Sequence, residues 1–463
     1  MVAWSSGRER DSSFAAFSCG RSAVVRPPST RVETAMNQLS MPPEIERPEE
    51  RDTRDRGATI AIAFLIGAGL INNLDRSALS VANHLVASEL QLSAAQMGLL
   101  MSSFSIVYAF SQLPIGLILD RFGARIVFGI GLLFWSTAQL ACGFVQTFQQ
   151  LLFGRALLGV GESPHYPACA KIVSEWFPAE KRGGPTSLFL IAGTVAPALA
   201  PPLLTLLLIA VGWRMMFATL GVLGIALALA WFAVYRNRTT DRATSGTAAE
   251  DDRAHTPRPG FAEWRALLIQ RNTIAMMLGS AGVIYMIWLY VSWLPAYLEH
   301  EQHVSIAKTG WLAAIPYAAG TIGQLSCGAF IDFLTSNGYS VSLSRKIPTC
   351  VGLVLAAMFT AAAAAAHTPA LAVAAISGAL FSIYFANVGT WAIVGVMVPS
   401  RMVATMGSVL TFGGYLGGSA APVITGVIVD RTHSFANGLL ISACLAIAAA
   451  AVFALGIRID DRS

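Results

Sequence analysis

Charge is scarce in this chain. Of 463 residues, 12% are Asp, Glu, Lys or Arg, 55% are apolar, and the mean hydropathy is +0.59. A water-soluble chain of this length needs more charge to cover its surface, so lipid is the expected solvent for most of it. Cysteine patterning is also missing. Cys19, Cys142, Cys169, Cys327, Cys350 and Cys444 are scattered, mostly inside apolar runs, with no CxxC or metal-ligand spacing. They read as small core residues, with neither a disulfide framework nor a metal site. No nucleophile–base spacing, HExxH, P-loop or dinucleotide fingerprint is present, which argues against an enzyme and against a bound cofactor. The net charge of +5 suggests nucleic acid at first sight. No segment combines dense Lys/Arg with interleaved aromatics, however, and Arg in the loops of one membrane face accounts for the excess.

What is present is a series of apolar runs. About 20 such residues cross the hydrocarbon layer as a helix. Runs near 58–86, 95–117, 125–146, 149–171, 184–209 and 213–235 are followed by six more near 272–297, 306–333, 347–366, 369–397, 402–428 and 434–457. The expected fold class is therefore an all-α membrane protein of twelve transmembrane helices in two six-helix halves, 58–235 and 272–457. Residues 1–57 hold nine Arg, no Lys and no apolar run of signal-peptide length, and read as a disordered cytoplasmic tail. Residues 236–271 are charged and rich in Ser, Thr and Pro and read as a cytoplasmic linker, with 458–463 as a short C-terminal tail.

With the N-terminus cytoplasmic, Arg121, Arg125, Lys181, Arg182, Arg236, Arg238, Arg242, Arg345, Lys346 and Arg401 all fall inside, as do Arg458 and Arg462. The other face keeps only Arg214, Lys308 and Arg431. The halves also echo each other. Ser187–Pro202 (SLFLIAGTVAPALAPP) can be laid on Ser408–Val423 (SVLTFGGYLGGSAAPV), so that Pro201 meets Pro422. The run from Gly116 to Asp120 likewise resembles that from Gly328 to Asp332. Two repeated halves with a site between them suit alternating access.

Charges inside a span are costly, about 2.5–3.5 kcal/mol each on insertion scales, and usually face a cavity or a partner. Four stand out: Asp75 and Arg76 on the first span, and Arg155 and Glu162 on the fourth. The last two are seven residues apart, on one helix face, so Arg155 is either a partner for Glu162 or a substrate contact. By depth count Arg76 is about 18 residues into its span, nearer the outer end than the midplane. Ser105, Tyr108 and Gln112 form a polar stripe on the second span. Asn387, Thr390 and Trp391 make a similar group on the tenth, and Thr411 and Tyr415 another on the eleventh. Tyr285, Tyr290 and His165 read more readily as packing residues.

The run GLILDRFGAR from Gly116 to Arg125 resembles the G-x-L-x-D-R-x-G-x-R/K signature between the second and third helices of the major facilitator superfamily. NNLDRSALSVA from Asn72, GRALLGVGESPHYPACAKIVSEWFP from Gly154, WLPAYL from Trp293 and FGGYLGG from Phe412 together resemble the anion:cation symporter family. That family includes bacterial transporters of sugar acids, hexuronates, tartrate and phthalate, and sialin-type carriers. The resemblance covers roughly 58–457. It implies a proton-coupled importer of a small organic anion in the cell inner membrane, working as a monomer by alternating access.

On this resemblance Arg76 holds the substrate carboxylate, and Asp75 and Glu162 carry protons. Tyr108, Thr390, Trp391, Thr411 and Asn73 line the cavity. Arg155, Asp120, Arg121, Arg125 and Asp332 serve as ion-pair or gating residues. The chain departs from the family pattern at Asn73, often an aromatic, at Tyr415, often Asn, and at Gly193, which can be polar; these positions bear on which anion is carried. The rival readings are an exporter or exchanger, and a non-transporting sensor. The first lacks an obvious Gly-rich antiporter signature in GTVAPALAPP, and the tail and linker are short for a signalling domain.

Overall fold

The computed structural model describes residues 48–177, 183–235, 269–397 and 403–458. Residues 1–47, Lys181, Arg182, most of the linker including Arg236, Arg238 and Arg242, Arg401 and Arg462 lie outside the described residues, as does the side chain of Asp120. The helices are α1 Pro48–Val81, α2 Asn83–Glu89, α3 Ala94–Phe122, α4 Ala124–Cys142, α5 Phe148–Glu162, α6 His165–Trp176 and α7 Gly183–Val234. Then come α8 Arg271–His300, α9 Ile306–Ser336, α10 Val341–Ala364, α11 Pro369–Met397, α12 Val403–Thr432 and α13 Phe435–Ala451, which runs on into a π-helical turn, Val452–Gly456. The first helix begins at Pro48, inside the stretch expected to be an unstructured tail.

Among the described residues, nine segments are long and apolar enough to cross a membrane. One of them, Val195–Val234, lies in the 52-residue α7. A straight helix of that length would reach about 78 Å, against a hydrocarbon core about 30 Å thick. Gly212, at φ 77° and ψ 167°, breaks it into two passes, and only glycine adopts that backbone without strain. The two remaining passes are α9 and the α5–α6 pair, which gives the expected twelve. The α5–α6 pass is not continuous. Pro164 has no N–H to offer the helix, and the chain turns at Ser163–Pro164 before α6 starts.

Side-chain contacts fix which ends lie together. Glu89 after the first pass, Val145 after the third and Arg214 after the fifth form one cluster. Arg214 donates to Glu89 Oε1 at 3.0 and 2.8 Å and to the Val145 carbonyl, and Trp213 Nε1 donates to Glu89 Oε2 at 2.6 Å. On the opposite face Arg125 Nη2 donates to the Phe232 carbonyl at 2.7 Å, and Trp176 Nε1 donates to Tyr235 at 3.0 Å. In the second half Lys346 and Asn272 donate to the carbonyls of Ile457 and Arg458 at 2.7 and 2.8 Å. At the other end Gln302 reaches the Ala366 carbonyl at 3.0 Å and Ser434 the Glu301 carboxylate at 2.6 Å. Asp430 joins the halves at this latter end by accepting from the backbone N–H groups of Ala94 and Ala95 at 2.8 and 2.9 Å.

The pseudo-symmetry is physical as well as textual. A Cβ on Gly98 would stand 2.3 Å from the Pro422 carbonyl oxygen, and one on Gly310 would stand 2.9 Å from that of Pro201. Pro201 and Pro422 are the repeat-matched pair. At each interface a glycine lets α3 approach α12, or α9 approach α7, backbone to backbone, the close packing that small residues permit in lipid. Ser80 Oγ donating to the Ser292 carbonyl at 2.8 Å and the His84–His300 ring pair at 5.3 Å add to the seal on the Glu89 face.

Candidate functional site

The four intramembrane charges converge. Asp75, Arg155 and Glu162 are essentially inaccessible, and the Arg76 side chain is 12% exposed. Glu162 is the last residue of α5, where the helix dipole presents partial negative charge, so its carboxylate needs a cation. Arg76 supplies it: Nε donates to Glu162 Oε2 at 2.7 Å. The guanidinium plane is flanked by the rings of Phe104, 5.1 Å away, and Tyr108, 4.9 Å away. From the other half, Tyr415 accepts from Arg76 Nη1 at 3.4 Å and packs on Tyr108 with centroids 4.9 Å apart. Trp288 closes the aromatic wall against Phe104 and Tyr415, at 6.1 and 6.2 Å. One edge of Arg76 is left over. Nη2 is buried without a hydrogen-bond partner, and so is Glu162 Oε1.

Arg155 does not pair with Glu162 despite their seven-residue spacing. Its Nη1 donates to the Asp75 backbone carbonyl at 3.3 Å, and its guanidinium lies 5.3 Å from the Phe104 centroid. Helical spacing puts Arg155 and Glu162 on one face, but two turns separate them by about 10 Å, and α1 fills the gap with Asp75 and Arg76. Both Asp75 carboxylate oxygens are buried without a hydrogen bond; the Trp135 indole lies beside them, outside bonding geometry. Arg76 is also deeper than the depth count suggested. Helical structure resumes in α2 as far as Glu89, so the outer end of the pass lies well beyond Val81, and Arg76 faces mid-span residues of α3 and α12.

Asn73 turns away, donating to the Gly69 carbonyl of its own helix at 2.8 Å. Its neighbour Asn72 is the fully buried one, beside Glu162, with both amide atoms unpaired. Thr390 and Thr411 bond carbonyls of their own helices, Ala386 at 3.0 Å and Gly407 at 2.8 Å. Trp391 is 47% exposed and lies beside Gly407. Arg125 ties α4 to the second pass of α7, a contact within one half. Arg121 is exposed, with its guanidinium 5.4 Å from the Phe122 ring, and Asp332 is exposed with no ion pair among the described residues.

His165 is buried among Phe128, Trp135 and Tyr166. Tyr290 bonds Thr360 at 2.8 Å inside the second half, as a packing residue does. Phe104 and Trp288 escaped the sequence reading because apolar aromatics carry no polar signal. Phe104 could have been found one helical turn before Tyr108 on the same face. Among the described residues no group of His, Cys, Asp and Glu could hold a metal ion.

Twelve membrane passes in two pseudo-symmetric halves, with a buried guanidinium at their interface, define a secondary carrier. The chain belongs to the Major Facilitator Superfamily, whose family model matches residues 65–422; it is a membrane transporter and not an enzyme. It is 40% identical over 440 residues to the "Probable L-galactonate transporter" of Escherichia coli (strain K12), covering 94% of this chain and 97% of that one. It is 32% identical to the "Probable galactarate/D-glucarate transporter GarP" of the same strain, over 87% and 94% of the two chains. It is 29% identical to the "Hexuronate transporter" of Bacillus subtilis (strain 168), over 83% and 91%. Among solved structures it resembles a bacterial homolog of the human lysosomal transporter Spinster in an inward-facing, occupied conformation. There the TM-score is 0.73 and the identity 19%, with 86% and 96% of the chains covered.

Proposed function

We propose that this protein imports a sugar-acid anion by proton symport, through alternating access about the Arg76 cluster. The observation that carries the reading is the unfinished hydrogen bonding of Arg76. Nε is held by Glu162, while buried Nη2 has no partner and Nη1 has only a long contact to Tyr415. A guanidinium edge offers two parallel N–H groups that match a carboxylate. The aromatic walls suit the apolar ring or chain face of a sugar acid, and relatives named for galactonate, galactarate, glucarate and hexuronate carry such anions.

Coupling follows from the same contact. A substrate carboxylate arriving at Arg76 competes with Glu162 for the one cation, and protonation of Glu162 releases Arg76 to the substrate. Asp75, one residue away and held near Arg155, is the second acid. Asp120, Arg121, Arg125 and Asp332 serve the gating of the face opposite Glu89. The Glu89 face is external, both termini are cytoplasmic, and the protein is a monomer in the inner membrane. Residues 58–235 and 272–457 move as the two halves, joined by 236–271.

The test is uptake in proteoliposomes against a panel of sugar acids and aromatic acids, with and without an imposed inward proton gradient. Accumulation of a hexonate or hexarate only with the gradient is expected. Accumulation independent of pH would overturn the coupling, and preference for an uncharged sugar would overturn the anion assignment.

A further inference from the structure

We propose that one anionic phospholipid binds stoichiometrically on the membrane-facing wall of the first half, with an acyl chain between α3 and α4 and its phosphate on Arg121 and the N-terminus of α4. The site is separate from the Arg76 cluster and rests only on the chain being membrane-embedded.

The groove has a volume of about 450 Å³. One wall is a stripe on α3, Ser111, Ile115, Ile118 and Phe122, at steps of four, three and four residues. The other is Ile126, Ile130 and Phe134 on α4, at steps of four. These spacings align each set on one helix face. Val160, Gly161, Ser163 and Pro164 form the floor. That floor is the junction between α5 and α6.

The groove is open to the bilayer: Ile130 is 55% exposed and Phe122 51%. From Ser111 to Phe122 is eleven residues, about 17 Å of helix at about 1.5 Å per residue. Half of a hydrocarbon core about 30 Å thick is about 15 Å, so the groove runs the depth of one leaflet.

Its mouth is where a headgroup belongs, and Arg121 stands there. Arg121 is exposed and its guanidinium stands over Phe122, the last residue of the α3 wall. The 19-residue α4 starts two residues later, with Gly123 as its N-cap, a residue that has no side chain to occupy the first-turn amides. First-turn amides of a helix attract phosphate. A net-negative lipid satisfies this end better than a zwitterionic one, because its charge is not offset by an ammonium group.

The experiment is native mass spectrometry of the purified full chain after delipidation and titration with phosphatidylglycerol or chain-matched phosphatidylcholine. One phosphatidylglycerol per protein, retained in preference to phosphatidylcholine, is expected. Arg121→Gln should weaken phosphatidylglycerol about fivefold and leave phosphatidylcholine unchanged. Ile130→Trp fills the groove from an exposed position and should abolish the bound species; Ile126→Trp serves the same end should the first variant not fold. Equal retention of the two lipids would overturn the headgroup assignment. Undiminished binding in a monodisperse tryptophan variant would overturn the groove, as would efficient disulfide cross-linking of two copies through Ile130→Cys. None of these readouts depends on substrate transport.

Discussion

Arg76 and Glu162 lie 86 residues apart in the chain and meet at 2.7 Å, the first on α1 and the second on the final residue of α5. The pair joins the substrate anchor to a titratable group through one bond. Arg76→Lys keeps the charge but cannot reproduce a two-pronged contact. Charge-assisted hydrogen bonds are worth roughly 1.5–3 kcal/mol, so a loss of about ten- to more than a hundredfold in substrate affinity is expected. Glu162→Gln mimics the protonated acid, so counterflow should persist while pH-gradient-driven accumulation fails. Driven uptake by Glu162→Gln would remove Glu162 as an essential proton carrier, and full binding by Arg76→Lys would remove the bidentate anchor.

Tyr415 is the described side chain of the second half that hydrogen-bonds Arg76. Tyr415→Phe keeps the ring against Tyr108 and deletes the hydroxyl. The bond comes from a charged guanidinium but is long, 3.4 Å, so it falls short of the roughly 1.5–3 kcal/mol of a well-formed charge-assisted one, and substrate binding should change about two- to tenfold. Tyr415→Ala, which also opens the aromatic wall, should cost more. Isothermal titration of purified protein would show it; affinities indistinguishable from the parent in both variants would place Tyr415 outside the site.

The Asp430 carboxylate acts as a helix cap supplied from the other half of the molecule, through its bonds to the first two amides of α3. Opening the Glu89 face requires those bonds to break. Caps contribute about 0.5–2 kcal/mol, so Asp430→Ala should raise the population open at that face about two- to thirtyfold. Met97 is fully buried at this seam, and a Met97→Cys reporter should react faster with an impermeant maleimide in the Asp430→Ala background. An unchanged rate would mean that the cap is not part of the latch.

Glu89 and Arg214 together link the ends of three passes. The hydrogen bond from Trp213, and then the contacts with Arg214, hold the Glu89 carboxyl below the usual carboxylate range. A depressed pKa contributes stability that is present above the unfolded value, about 4.3, and is lost as pH falls through the folded value. Thermal unfolding on acidification below about pH 4 should therefore show a loss that Glu89→Gln lacks. Parallel curves for the two proteins would show that the carboxylate is not linked to folding.

The passes were legible because the bilayer imposes a length and a solvent on each helix, and a run of apolar residues records both. The repeat of Pro201 on Pro422 was legible for a similar reason, since both prolines face the same kind of glycine contact. The discontinuous fourth pass was not read, although Pro164 announces it, because hydropathy averages over the break. Nor was the choice of Asn72 over Asn73. Both are polar, and only the rotation of α1 against α5 decides which one meets Glu162.

Apolar spacing and the distribution of Arg by themselves determined that this chain crosses the membrane twelve times in two related halves. Chemistry alone singled out Asp75, Arg76, Arg155 and Glu162, because unneeded charge is costly in hydrocarbon. The partnerships among them belonged to the tertiary structure. Arg155 shares a helix face with Glu162, yet Arg76 takes the carboxylate, because α1 packs between the two turns. Tyr415 reaches Arg76 across 339 residues of chain only when the two halves close on each other. A pairing between helices is set by their packing, which local sequence does not encode.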